Sequence, residues 1–281
     1  MGTPLLTRPW IETRAPRRSC PRIDLRELWA YRDVGLILAL RDLKIRYKQT
    51  FFGVGWALIQ PLLAMAVFTV ILGNGVGVSS QGVPYPAFVL AGLAIWFPFA
   101  TALTSAAESL VRNPELVTKV YVPRLMAPIS AVLAPVADLL VALGIAVVVA
   151  LVAGLPVRGS WLLLPLCCVG WVVATLGFGI WLAALNVLYR DVRYALGFLL
   201  QLLFFLTPAV YPSAVVGDGA QQVLLALNPL VGLIGVVRWA LLGVELPATG
   251  VLVVSAGATV LLLAGGLLFF RNAERQFADR V

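Results

Sequence analysis

The chain of 281 residues is 61% hydrophobic and only 12% charged, with a mean hydropathy of +0.96 and a formal net charge of +8. Soluble domains are roughly half apolar and about a quarter charged, so no water-soluble fold hides this much apolar surface. The composition excludes a soluble enzyme or a nucleic-acid-binding domain and sets the fold class as an all-α polytopic membrane protein.

The placement of the cations explains the positive charge. Of the 21 Lys and Arg, eleven fall in residues 1–55, three in 108–124, two in 188–195 and three in 271–281. Clusters alternating with apolar runs are the positive-inside signature, which assigns these four segments and both termini to the cytoplasmic side of a plasma membrane. Arg outnumbers Lys eighteen to three, the usage of a high-GC bacterium. With no His, and with Cys20, Cys167 and Cys168 as the only cysteines, neither a transition-metal site nor a disulfide framework is expected.

Residues 1–22 carry Arg, Glu and Pro without an apolar segment, so a disordered cytoplasmic tail is expected there and not a cleavable signal peptide. The remainder, 23–281, reads as one transmembrane domain. Residues 23–50 form a basic amphipathic helix with Leu25, Leu28 and Trp29 as apolar positions and Arg26, Arg32, Arg41 and Lys44 as polar ones. Such a helix lies in the headgroup plane, and the same pattern suits docking on a soluble partner. A Phe52-Gly53 hinge then leads into hydrocarbon. A spanning helix needs about 20 apolar residues, and the candidate spans are about 55–76, 85–107, 125–152, 162–185, 196–211 and 250–270.

The inner loop ESLVRNPELVTKVYVPR at 108–124 contains Asn113-Pro114-Glu115, an N-cap, a proline and an acid in helix-start order. The short helix expected from Pro114 to about Val120, closed by Pro123, either transmits force to a soluble partner or is an ordinary connection. Asp138 lies about 15 Å along its helix from Pro128, near the midplane. An acid there costs roughly 2.5–3.5 kcal/mol on insertion scales, so it faces protein or water. It either lines a polar path or bonds a neighbouring helix beside the Pro135 break.

Asn186, Tyr189, Arg190, Asp191, Arg193 and Tyr194 make the next inner turn. Thr207-Pro208 and Tyr211-Pro212 break the fifth span at its outer end. In 212–249 the apolar pieces Gln221–Leu227 and Leu230–Leu242 are separated by Asn228-Pro229. The longer piece makes about 20 Å of helix, too short to span, so a re-entrant or interfacial hairpin on the outer side is expected. Trp and Tyr near the span ends, Trp239 among them, are expected as interface anchors. The chain has no GxxxxGK[ST] phosphate loop and no GxSxG, HExxH or paired-carboxylate signature, so neither an ATP site of its own nor catalysis is expected.

These residues together resemble the permease subunit of ABC-2 type exporters of lipid-linked polysaccharides, the O-antigen and teichoic-acid export family. The resemblance rests on RDLKIRYKQTFFGVGWALIQPLL at 41–63, VPYPAFVLAGL at 83–93, LVTKVYVPRL at 116–125, ALNVLYRDVRY at 184–194, TPAVYP at 207–212 and LNPLVGLIGVVRWALLG at 227–243. It implies six spans, a second copy of the chain, and two copies of a separate cytoplasmic ATPase that binds ATP and Mg. It further implies that Asn113, Pro114, Glu115, Lys119, Tyr121 and Arg124 belong to an ATPase-coupling helix and its flanks. Arg41, Lys44, Arg46, Tyr47 and Lys48 would belong to the interface helix that meets the lipid headgroup. Pro208, Tyr211, Pro212, Asn228, Pro229, Arg238 and Trp239 would belong to outer gate helices. The implied cargo is a polyprenyl-diphosphate-linked glycan, with a galactan precursor of the cell wall favoured by the high-GC usage. The alternatives are an ABC-2 permease for drugs or small lipids, or a transporter that needs no ATPase.

Overall fold

The computed structural model of the protein describes residues 25–48, 55–113, 122–189, 191–217, 219–274 and 277. The expected tail, the hinge at 49–54, and Pro114, Glu115, Lys119 and Tyr121 of the expected coupling helix lie outside the described residues. All regular structure among the described residues is helical.

The amphipathic segment is two helices, α1 (Leu25–Ala30) and α2 (Arg32–Tyr47), with a break at Tyr31. On α2 the small residues Gly35 and Ala39 are buried with Leu38, whereas Leu36, Ile37, Leu40 and Ile45 are exposed. A Cβ on Gly35 would lie 3.1 Å from the Met126 sulfur, so the small face lets the helix lie close on the bundle. Large apolar side chains left exposed beside cations suit a headgroup-level helix.

Five helical stretches among the described residues are long and apolar enough to cross a membrane. The first is α3 (Gly55–Phe68), which continues as a π-helix over Thr69–Val76 and ends at Gly77. The second is α4 (Tyr85–Arg112), whose 28 residues make about 42 Å of helix. The third is kinked at Pro135 into α5 (Met126–Leu133) and α6 (Val136–Val152). The fourth enters through a 3-10 turn at Gly159–Leu163 and continues as α7 (Leu164–Leu188). The segment expected as span five is α8 (Val192–Leu206), at 15 residues shorter than those five. After it come a 3-10 turn at Ser213–Val216, α9 (Ala220–Leu225) and α10 (Pro229–Leu242). The last long helix is α11 (Thr249–Glu274).

Helix α4 is the axis of the fold. Within its most apolar window 78% of residues are buried, against 6% for the first span and 17% for the last, so the latter two present most of their surface outward. Apolar lipid offers no hydrophobic drive for helix pairing, and close approach plus polar bonds must hold the bundle. Both are visible. Fully buried Trp171 on α7 donates its indole N–H to the Ile95 carbonyl at 3.0 Å, and Asn186 donates to the Ala107 carbonyl at 2.8 Å. Between α7 and α11, Gly177 lies against Leu262 and Leu263, and Trp181 donates to the Leu262 carbonyl at 3.0 Å while stacking on Phe269. Trp181→Phe removes that hydrogen bond and part of the ring surface packed on Gly265, Gly266 and Phe269. It should lower stability by about 1 kcal/mol in a denaturant titration of the detergent-solubilised chain, without loss of helicity.

Candidate functional site

The polar features gather at the two ends of α4. Toward its C-terminal end, a cavity of about 850 Å³ opens between α2, α4, α5 and α8. Its charged lining comes from Arg41, Asp42 and Arg46 of α2 and Arg112 of α4, with the hydroxyls of Thr101, Thr104 and Ser105 deeper along α4. The expected path-or-glue residue Asp138 does not line the cavity and is joined to it through Arg46. Arg46 Nη1 donates to Asp138 Oδ2 at 2.5 Å and Nη2 to Ser105 Oγ at 3.3 Å, while the Tyr47 hydroxyl donates to Asp138 Oδ1. Both carboxylate oxygens are therefore occupied by the C-terminal end of α2. Asp138 ties α2 to the third span, in a part of the protein where an unpaired carboxylate would be expensive.

The other two arginines are held as well. Arg41 donates to Asp42 at 2.9 Å and to the Asn113 side-chain oxygen at 2.8 Å, and Asn113 donates in turn to the Ser109 carbonyl. Asn113, expected as the start of a coupling helix, closes the end of α4 and ties α2 to it. Arg112 pairs with Glu108 at 2.5 Å and Arg193, from the start of α8, reaches the same carboxylate at 3.4 Å. Glu108 escaped the sequence reading as a site. Its signal was an acid four residues before Arg112 at the end of a helix otherwise almost free of charge. Lys44 on α2 and Lys48 just past its end are exposed. Arg124 donates to the Glu274 main-chain carbonyl at 2.7 Å, joining the start of the third span to the end of α11.

The opposite end collects the expected gate residues. Residues 207–211 interrupt α8 with Pro208, and the freed carbonyls are met one by one. Thr207 donates its hydroxyl to Leu203, Tyr211 to Phe205, and Tyr85 of α4 to Val210 at 2.7 Å. The Arg238 guanidinium donates to Pro208 at 2.8 Å, Ala209 at 2.5 Å, Tyr211 at 3.3 Å and Phe88 at 3.2 Å, and lies 3.7 Å from the centre of the Phe88 ring. Arg238 is only 4% exposed. Asn228 caps α10, accepting from the Leu230 amide and donating to Thr207 at 2.7 Å, with Pro229 at the first helical position. Pro212 is buried and Trp239 half-buried. Helix α10 is fastened from its sides too. Ser255 of α11 accepts from the Gly232 amide, and Ser160 and Trp161 donate to the Ala240 and Leu241 carbonyls. In contrast, no residue of Ser213–Val216 or α9 is buried.

No cluster of three or more His, Cys, Asp or Glu that could hold a metal occurs among the described residues. The description of the ABC-2 type transporter membrane family matches residues 35–242. Over 259 residues the chain is 30% identical to the O-antigen export system permease protein RfbA of Myxococcus xanthus, covering 92% of this chain and 98% of that one. A permease of the same name from Klebsiella pneumoniae is 28% identical over 254 residues, with 88% and 94% coverage. The match runs from the interface helix through both polar ends of α4 to the close of α10. The chain belongs to the ABC-2 type transporter family of membrane proteins.

Proposed function

We propose that this chain is the permease subunit of an ATP-driven exporter that moves a polyprenyl-diphosphate-linked glycan from the cytoplasmic to the outer side of the plasma membrane. The observation that carries this reading is the arginine-lined cavity between the interface helix and α4. Arg41 and Arg112 line it with guanidinium groups held by Asp42, Asn113 and Glu108, and a phosphate would have to exchange with or share those partners, a trade that suits the charge and planar donors of arginine. Leu200 of α8 also lines the cavity, and α8 exposes Phe198, Leu199 and Leu202. A headgroup held there can leave its hydrocarbon tail in the bilayer. The arginines in the lining favour an anionic headgroup over an uncharged drug as cargo, and the engagement of Asp138 by Arg46 and Tyr47 argues against an ion-coupled carrier. Similarity to O-antigen permeases supports a glycan, and the Arg-rich, Lys-poor composition favours a galactan precursor within that class.

In this reading two copies form the channel. Two copies of a separate ATPase, which bind ATP and Mg, push on the 114–121 segment, with Glu115, Lys119, Tyr121 and Arg124 at the contact. The chain crosses the membrane six times and keeps both termini in the cytoplasm. The additional crossing is Val192–Tyr211. Its helix of 15 residues makes only about 22 Å, yet Arg193 reaches Glu108 near one end of α4 and Val210 meets Tyr85 at the other. Those contacts support a full traverse.

The test is co-purification of the tagged chain with an ATPase encoded beside it, followed by depletion. Absence of any associated ATPase removes the exporter reading. Depletion should strand lipid-linked glycan in the inner leaflet; an intact surface glycan with no stranded intermediate removes the glycan assignment. For the headgroup, the double substitution Arg41→Gln/Arg112→Gln should lower export about tenfold at unchanged abundance, equivalent to roughly 1.4 kcal/mol of binding. Unchanged export would end the role of these cations.

A further inference from the structure

The guanidinium of Arg238 is a buried cation whose described partners are all main-chain carbonyls and one aromatic face. Buried charges are normally paired or bound by many hydrogen bonds, and here the second solution is used alone. The carbonyls come from two places. Three belong to the 208–211 break, where Pro208 has ended α8, and the fourth is that of Phe88, one turn into α4. The arginine itself stands on α10, which Asn228, Ser160, Trp161 and Ser255 already fix to the bundle. Gly92 completes the arrangement. A Cβ there would collide with the Ala209 carbonyl and lie 2.7 Å from the Arg238 Nη2 atom. The break is thus drawn onto bare helix backbone by a planar fork, and Tyr85 holds the next carbonyl beside it.

We infer that Arg238 is a positioning residue for transport: it pins the broken end of α8 against α4 and α10, and so keeps closed the end of the bundle remote from the arginine-lined cavity. Resting on the exporter reading for its direction, this end is the glycan exit. A carbonyl cradle suits a closure that has to open. Neutral carbonyls hold the guanidinium without the ion-pair attraction that opening would otherwise have to break, and once parted both sides can be satisfied by water or by sugar hydroxyls. The neighbouring arm of Ser213–Val216 and α9 has no buried residue and is fastened more lightly than α10, by Leu225 against the Ala226, Val231 and Val251 cluster and by Gln222 on the Gly217 carbonyl, and Gly217 and Gly219 within it stand at φ of 123° and 46°. Such positive values are readily adopted only by glycine.

The experiment uses the full chain carrying Val210→Cys, a buried position 6% exposed, in right-side-out and inverted membrane vesicles treated with a charged, impermeant maleimide. Labelling is read peptide by peptide in a Cys168→Ser background, so that native Cys167, also buried, reports general loosening. With Arg238 intact, Cys at 210 should label no faster than Cys167. Arg238→Gln should raise its labelling at least about tenfold while Cys167 stays at the parental rate. Arg238→Lys keeps the charge but not the fork, and should raise it about threefold. Protection at 210 in both variants overturns the inference, as does a parallel rise at Cys167, which would make Arg238 a support of the whole fold. If the Gln variant does not insert, the same criteria apply to the Lys variant alone. Labelling only in inverted vesicles would leave the pin in place and overturn the exporter topology.

Discussion

Arg46→Met should destabilise the protein by about 2–3 kcal/mol, in a chemical-denaturation series in detergent, and detach the interface helix from the third span. Breaking a buried ion pair from one side leaves the other charge stranded, at about 3–5 kcal/mol when burial is complete. Here the Asp138 side chain is 14% exposed and that of Arg46 27%, which sets the lower figure. Asp138→Asn should cost less, about 1–2 kcal/mol, because the amide still accepts from Tyr47 and leaves only a cation near the cavity's water. The double variant should recover at least half of the Arg46→Met loss, since neither charge is then stranded. A loss under about 0.5 kcal/mol for Arg46→Met would mean that the pair does not hold the helix. Loss of export by Asp138→Asn at unchanged stability would restore the polar-path role for the carboxylate.

Gly92→Ala should destabilise by about 2–4 kcal/mol, although alanine is the better helix former by about 1 kcal/mol. The obstacle is backbone. The added Cβ falls on the Ala209 carbonyl, which cannot rotate away as a side chain would, and it crowds Arg238. Gly144 on α6 is the internal control, because a Cβ there meets nothing within 4 Å. Gly144→Ala should be neutral or stabilising by up to about 1 kcal/mol. Equal effects at the two positions, measured by denaturation in the same detergent, would show that close approach at Gly92 does not matter. Together the two glycines separate helix propensity from tertiary contact within one membrane.

Much of the fold was legible in the residues because membrane insertion is decided locally. Long apolar runs bounded by Arg, Pro and Gly mark helices whatever they later touch, and α3, α4, the kinked third span, α7 and α11 appear where those runs stand. Pro135 broke its helix, and Asn228-Pro229 began one, each for reasons confined to a single turn. A helical segment before the first span was also legible, apart from its break at Tyr31, but Trp29, expected on its apolar face, is exposed. The site was legible only as residue types. Arg46, Tyr47 and Asp138 were each singled out, yet their meeting spans more than 90 residues of sequence and no spacing rule covers it. Glu108 was passed over because its second arginine comes from another helix.

The sequence by itself determined a helical, membrane-embedded chain with a basic amphipathic helix, no phosphate loop and proline breaks between α8 and α10. These are sums over short windows: hydropathy, charge density and missing backbone donors. Only the tertiary structure decided which partners the few polar groups take. It made Asp138 the anchor of the interface helix, joined Glu108 to two helices, and turned Arg238 from a charge in a short apolar helix into the donor for a broken backbone. The physical reason is that lipid leaves a polar group no solvent to fall back on. Its role is set by whichever atom the fold brings within about 3 Å, and that neighbour belongs to a distant part of the chain.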